Sequence, residues 1–231
     1  QLKSNQQNSF AYQKGLPKFN YNSITTLYQS KLPLAENITE SSGLDYEHKE
    51  NVFNEFDREP LLPHMLSTEG PALAVADINH DGLDDIFIGA SKTYHNAVYL
   101  QTATGKFTPL SQPSLLKDSM WENVSAEWVD VNNDTHPDLV IACGGNEYYG
   151  KDQHLLPLLY INDGKGNLSR KQDAFTDIFA TQSVVTSCDF NNDGFVDLFI
   201  GGRQFPGAYL QSVSSYILQN NNGIFTDVSN T

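Results

Sequence analysis

Three copies of one short acidic segment constrain this chain more than anything else in it. They read Asp77-Ile-Asn79-His-Asp81-Gly82-Leu83-Asp-Asp85, Asp130-Val-Asn132-Asn-Asp134-Thr135-His136-Pro-Asp138 and Asp189-Phe-Asn191-Asn-Asp193-Gly194-Phe195-Val-Asp197. Each puts oxygen-bearing side chains at positions 1, 3, 5 and 9. A hard divalent cation takes six to eight oxygen ligands, and a tight turn carrying carboxylates, an amide and main-chain carbonyls supplies them. The spacing therefore predicts three calcium loops. The side-chain ligands would be Asp77, Asn79, Asp81 and Asp85, then Asp130, Asn132, Asp134 and Asp138, then Asp189, Asn191, Asp193 and Asp197. Position 7, which is Leu83, His136 and Phe195, would add a main-chain carbonyl in each copy.

An EF-hand is excluded. That loop needs a glutamate at position 12 between two helices, and position 12 here is Ile88, Ile141 and Ile200. These isoleucines close the apolar runs Ile86-Phe-Ile88, Leu139-Val-Ile141 and Leu198-Phe-Ile200. Short, partly β-branched runs of this kind predict strands buried on both faces. Ala72 to Ala76, Ala126 to Val129 and Val184 to Cys188 read as strands entering the loops. Each acidic loop then joins two strands of a hairpin.

The first aspartates are 53 and 59 residues apart, a period that points to a propeller or solenoid. A second hairpin follows each loop. It reads Val98-Tyr-Leu-Gln101 with Gly105-Lys-Phe107, then Leu159-Tyr-Ile-Asn162 with Gly166-Asn-Leu168, then Tyr216-Ile-Leu-Gln219 with Gly223-Ile-Phe225. Glycine and asparagine in these turns supply the positive φ that tight hairpins demand. Each unit thus holds four short strands, the content of a propeller blade. The fold expected is all-β: three four-stranded antiparallel β-propeller blades at about 61–115, 116–175 and 176–231, forming part of a larger propeller. Residues 1–60 are polar and aperiodic at first. They are expected to be a strap or the tail of a preceding domain or blade, with Asn37 to Leu44 as a strand and turn.

These residues resemble the FG-GAP/VCBS repeat proteins, and the loop is similar to the calcium loop of integrin α propellers. A closer likeness, to secreted bacterial relatives of cartilage acidic protein in the ASPIC/UnbV group, rests on Leu61-Leu-Pro-His-Met-Leu-Ser67, Gly70-Pro-Ala-Leu-Ala-Val75, Cys143-Gly-Gly-Asn-Glu-Tyr148, Tyr160-Ile-Asn-Asp-Gly-Lys-Gly166 and Gly201-Gly-Arg-Gln-Phe-Pro-Gly207. The resemblance implies a calcium-stabilised propeller that binds rather than catalyses, at the cell surface, outside the cell or in the periplasm. It covers residues 40–231. The second loop departs from the pattern, with Thr135 for glycine and Pro137 stiffening the turn.

The formal net charge is −14, from 28 acids and 14 bases. Nine of those acids are loop aspartates at positions 1, 5 and 9, and the six positive charges of three calcium ions would bring the net charge to −8. No cluster of Lys and Arg marks a nucleic-acid surface, and no apolar run reaches the roughly 20 residues of a membrane span. Gln1 to Ser9 lacks the charged-then-apolar pattern of a leader, as a mature or excised chain would. Cys143 and Cys188 fit two buried small hydrophobes or a bridge between neighbouring blades. His48 and His64 suit packing, and the ring of His136 is expected to point outward. Gly164-Lys-Gly166 suits a hairpin turn rather than a phosphate loop. Three identical carboxylate sets fit metal better than catalysis, which needs one site. The partners expected are a protein or glycan at the cell envelope and the blades that complete the ring. The alternative function is a glycan-binding ancillary domain of a carbohydrate-active enzyme or uptake system. Tyr148, Tyr149, Phe205 and Tyr209 are candidate contact aromatics.

Overall fold

The structure is a computed structural model and describes residues 36–230. The chain divides into two compact units, Gln1–Ile38 and Thr39–Thr231. The second carries every element described below. Most of the strap expected over 1–60 lies outside the described residues.

Among the described residues, twelve strands form three antiparallel four-stranded sheets. The first is β1 (Leu73–Ala76), β2 (Asp85–Ile88), β3 (Ala97–Gln101) and β4 (Phe107–Pro109). The second is β5 (Asn123–Val129), β6 (Asp138–Cys143), β7 (Leu158–Asn162) and β8 (Leu168–Arg170). The third is β9 (Thr181–Cys188), β10 (Asp197–Gln204), β11 (Tyr216–Asn221) and β12 (Ile224–Asp227). Strand order follows sequence order in every sheet, as expected of blades. The acidic loops and the glycine hairpins therefore share one end of each blade. The β2–β3, β6–β7 and β10–β11 loops and the crossovers between blades share the other.

Blades stack face to face. In β6 alternate residues serve opposite neighbours. Leu139, Ile141 and Cys143 pack with Phe87, Val98 and Ile78 of blade one. Val140 and Ala142 pack with Val185, Leu198 and Ile200 of blade three. All six residues of β6 are buried. The expected burial on both faces thus holds for the middle blade. It fails in β10, where Phe199 is 38% exposed because its face of blade three packs no blade among the described residues.

Two expectations are corrected. Thr39–Ser42 forms a one-turn helix, α1, rather than a strand. Ser42 Oγ donates to the Thr39 carbonyl at 2.9 Å, and Gly43 takes φ +83°, the left-handed residue that closes a helix. The two cysteines are free. Cys143 is buried, but Cys188 is exposed, so the pair is not two buried small hydrophobes. A second short helix, α2 (Pro113–Lys117), opens on proline, whose missing N–H costs nothing at a first turn.

Residues 45–69 run over the crossover end of the blades. Tyr46 Oη donates to the Gly89 carbonyl at 3.0 Å, and Ser91 Oγ to that of Lys49 at 2.5 Å. Glu59, 8% exposed, accepts from Asn146 Nδ2 at 2.6 Å, Tyr209 N at 2.7 Å and Gly207 N at 3.2 Å. A buried carboxylate is costly unless donors surround it. Here they come from the loops of blades two and three, so one side chain ties that segment to both.

Candidate metal centres

The three acidic loops have one hydrogen-bond plan. The first aspartate accepts from the main chain of positions 5 and 6. Asp77 accepts from Asp81 N at 3.1 Å and Gly82 N at 2.8 Å. Asp130 accepts from Asp134 N at 3.2 Å and Thr135 N at 2.7 Å, and Asp189 from Asp193 N at 3.2 Å and Gly194 N at 3.0 Å. The position 5 carboxylate accepts from position 7, at 2.9 Å for Leu83, 2.8 Å for His136 and 2.9 Å for Phe195. These bonds coil the backbone tightly. They also hold the Asp193 carboxyl below the usual range, through the Phe195 N–H first and then Asn191.

The coil needs left-handed backbone at two places. Position 4 is His80, Asn133 and Asn192, at φ 59°, 59° and 58°. Position 6 is Gly82, Thr135 and Gly194, at φ 84°, 73° and 89°. Glycine reaches this region freely, whereas a β-branched residue does not. Thr135 follows the same path as the two glycines at an energetic cost.

Position 9 differs from the rest. Asp85, Asp138 and Asp197 are buried, at 0%, 0% and 1% exposure. Each carboxylate straddles two main-chain N–H groups. Asp138 accepts from Val131 at 3.2 Å and Asn162 at 2.8 Å, tying the loop to the third strand of its own blade. Asp85 does the same with Ile78 and Gln101, and Asp197 with Phe190 and Asn220. Burial raises the Asp138 carboxyl to about 6 and moves that of Asp85 the same way, against the N–H bonds that lower it.

Among the described residues, no three His, Cys, Asp or Glu side chains already stand at metal-ligand spacing. In each loop an amide takes the place of such a contact. Asn79 Nδ2 donates to Asp81 at 3.1 Å, Asn132 to Asp134 at 2.9 Å and Asn191 to Asp193 at 2.8 Å. The donor chemistry nevertheless fits a hard cation. Positions 1, 3 and 5 offer only oxygen, and each carboxylate oxygen used above has a second lone pair. The position 9 carboxylate is the most committed of the set, since both its oxygens brace the fold.

Sequence reasoning missed what lies between the loops. Asn162 Nδ2 donates to the Ile78 carbonyl at 2.8 Å, and Asn220 Nδ2 to the Val131 carbonyl at 2.8 Å. Asn162 is the last residue of β7 and Asn220 the last but one of β11, and each reaches position 2 of the loop before it. The signal was present as a polar residue closing that strand. In the third copy it is Asn220, one residue beyond the Gln219 that the sequence comparison aligns. Position 4 also bridges blades. His80 Nε2 lies 2.6 Å from His136 Nδ1, and Asn133 Nδ2 donates to the Gly194 carbonyl at 3.0 Å. The His136 ring therefore meets its neighbour rather than pointing outward.

The FG-GAP-like repeat family model matches residues 77–141 and again 130–200, which together span more than half of the chain. The chain belongs to the FG-GAP-like repeat family. Each match begins on the first aspartate of one loop and ends on position 12 of the next, so it runs from one loop through the last three strands of its blade into the first two strands of the following blade. Among curated proteins, integrin alpha-8 of Mus musculus is 26% identical over 150 residues, which is 58% of this chain and 14% of that protein. The FG-GAP-like repeats here thus correspond to a small part of a much longer relative. No helix among the described residues is long and apolar enough to cross a membrane.

At the other end of the blades, side chains form a stack. Arg170 lies over the Trp121 ring at 4.4 Å, and Trp121 meets His154 at 4.4 Å. His154 stacks on Tyr148 at 4.3 Å, and Lys92 Nζ sits 4.6 Å from the Tyr148 ring. Beside it Lys117, Trp121, Gln153, His154 and Arg170 line an open groove of about 440 Å³. Tyr149 is 63% exposed. Gly164 and Gly166 lie in the β7–β8 hairpin turn, at φ 74° and 82°.

Proposed function

We propose that this chain is a calcium-stabilised, non-enzymatic binding module of the extracellular or cell-surface space, used in adhesion or as a subunit of an envelope complex. One observation carries the reading: three all-oxygen loops with one hydrogen-bond plan, each joining two strands of a blade. Asp77, Asn79 and Asp81, with their counterparts in the other loops, would hold one ion per loop with the position 7 carbonyl. Asp85, Asp138 and Asp197 would neutralise the ion from beneath while bracing the third strand. The ion supplies positive charge where two or three carboxylates converge, which offsets their repulsion. Likeness to integrin alpha-8 supports a binding role, and sites of modest affinity stay filled where free calcium is high. The motifs around Leu61–Ser67 and Gly201–Gly207 resemble those of bacterial relatives of cartilage acidic protein, and that finer affiliation is part of the proposal.

A second reading, the glycan-binding ancillary domain, draws on the groove beside Trp121. The exposed amides and cation on its wall, Gln153, Gln172 and Lys117, suit a polar ligand of sugar size. A glycan array probed with the calcium-loaded protein, run beside a pull-down from the cell envelope, separates the two. Retention of glycan that is lost in the exposed groove variants Gln153→Ala and Lys117→Ala favours the second reading. Capture of an envelope protein with no glycan retained favours the first.

A further inference from the structure

Two imidazoles stand among the oxygen sets of the loops. His80 at position 4 of loop one and His136 at position 7 of loop two meet across the contact between blades one and two. Nε2 of His80 lies 2.6 Å from Nδ1 of His136, with ring centroids 4.7 Å apart. A neutral pair so placed shares one N–H, one ring donating and the other accepting. The separation is shorter than the roughly 2.9–3.0 Å usual for an N–H donor. Two nitrogens from different blades therefore converge on one point.

The blade contact does not itself demand imidazole. At the next contact position 4 is Asn133, whose Nδ2 donates to the Gly194 carbonyl at 3.0 Å, and position 7 is Phe195. At the first contact the β7–β8 hairpin sets the His136 ring in place. Gly164 holds φ +74°, and a Cβ there would stand 2.5 Å from Cε1 and 2.6 Å from Nε2 of His136. Glycine thus lets the ring lie against the turn with Nδ1 toward His80. The His80 ring is exposed, so it can swing outward without disturbing the core.

We infer that His80 and His136 form a site for one divalent metal of the zinc, copper or nickel kind, which clips blade one to blade two. Imidazole suits these metals, whereas carboxylate, carbonyl and water suit calcium. The pair therefore differs in chemistry from the loops that carry it. Two imidazoles bound tetrahedrally at about 2.0–2.1 Å stand about 3.3 Å apart, so the pair opens by about 0.7 Å. The shared proton moves to the far nitrogen of the donor ring, and both facing nitrogens become ligands. No third His, Cys, Asp or Glu joins them at ligand spacing among the described residues, so water fills the remaining positions. Loop one carries four aspartates and loop two three, so each stays negative with one calcium bound, and the local field still favours a cation. The inference does not depend on what the module binds.

The test titrates the intact protein with zinc chloride in saturating calcium, beside His80→Asn. Asparagine holds the same left-handed position 4 in the other two loops, at φ 59° and 58°, so the variant keeps the backbone. The parent should take up one zinc ion that the variant does not. Its melting temperature should rise by about 5–10 °C at 100-fold excess over Kd, with no such rise in the variant. Calcium uptake should be the same in both. One equivalent of Cu2+ gives an independent readout. The electron paramagnetic resonance spectrum of the parent should show coupling to two imidazole nitrogens, reduced in His80→Asn. Zinc uptake equal in parent and variant overturns the inference, and so does no uptake by the parent. A parent copper spectrum with fewer than two nitrogens also contradicts it.

Discussion

Asn220 of blade three donates its side-chain N–H to the Val131 carbonyl of blade two at 2.8 Å and to the Val196 carbonyl of its own blade at 3.0 Å. One buried amide thus closes two loops at once, and Asn162 repeats the arrangement with Ile78 and Pro137. Asn220→Ala leaves two carbonyls without a donor at a site where water is excluded. An unsatisfied buried polar group costs about 1–3 kcal/mol. Denaturant unfolding should show a loss of that size, with Asn220→Gln recovering part of it. A loss below about 0.5 kcal/mol would place the blade contact in apolar packing alone.

Ligand and brace are separable at positions 5 and 9. Asp138→Asn retains one acceptor for two N–H groups, those of Val131 and Asn162, and should destabilise the protein even under chelator. Asp134→Asn lies on the exposed rim of the same loop. It should weaken calcium binding while leaving chelated stability within about 0.5 kcal/mol of the parent. Equal effects of the two substitutions under chelator would contradict the division of labour.

Thr135 should make the second loop the weakest site. Left-handed backbone costs an L-residue about 1–2 kcal/mol, and roughly five- to thirtyfold in affinity follows if binding must hold that strain. Pro137 restricts His136 before it and offsets part of the cost. Calcium titration of Thr135→Gly should strengthen the weakest binding step. An unchanged step means the unbound loop already bears the strain, in which case the melting temperature of the chelated protein should rise instead.

Stability should fall as pH rises from about 4.5 to 9. Burial pushes the Glu122 carboxyl up to about 9, and the nearby Glu50, Glu147 and Glu55 carboxylates add to it against the Lys92 N–H. A carboxyl whose folded pKa is raised binds its proton more tightly when folded. Its contribution is complete below the unfolded value, near 4.5, and is lost as pH climbs through the folded one. Glu147 and Lys92 are themselves paired beside it, and Tyr148 completes that wall. Thermal melts at fixed calcium should show the decline, and Glu122→Gln should flatten it. A variant that keeps the parent slope rules Glu122 out as its source.

Much of this architecture is legible in the residues. The offsets of Asp77, Asp130 and Asp189 fix the period, and the isoleucines at position 12 exclude the helical alternative. Glycine at Gly105, Gly166 and Gly223 marks the outer hairpins. What could not be read was contact between units. Periodicity reports which residues avoid water, not which carbonyl an amide meets, so Asn162 and Asn220 passed as ordinary strand ends. Thr39–Ser42 misled because one turn of helix has no period to detect. Cys188 misled because burial in a blade depends on whether a neighbour covers that face, which is a property of the assembly rather than of the strand.

The central claim is that the three acidic loops bind calcium and that the fold depends on it. Isothermal titration of the chelated protein with calcium, followed by melting curves, tests it directly. The account predicts three ions per chain and a lower melting temperature under chelator that calcium restores. Binding to the folded state alone adds about 2.7 kcal/mol per site at 100-fold excess over Kd. No calcium uptake, together with a melting curve indifferent to chelator, would show that hydrogen bonds alone order these loops.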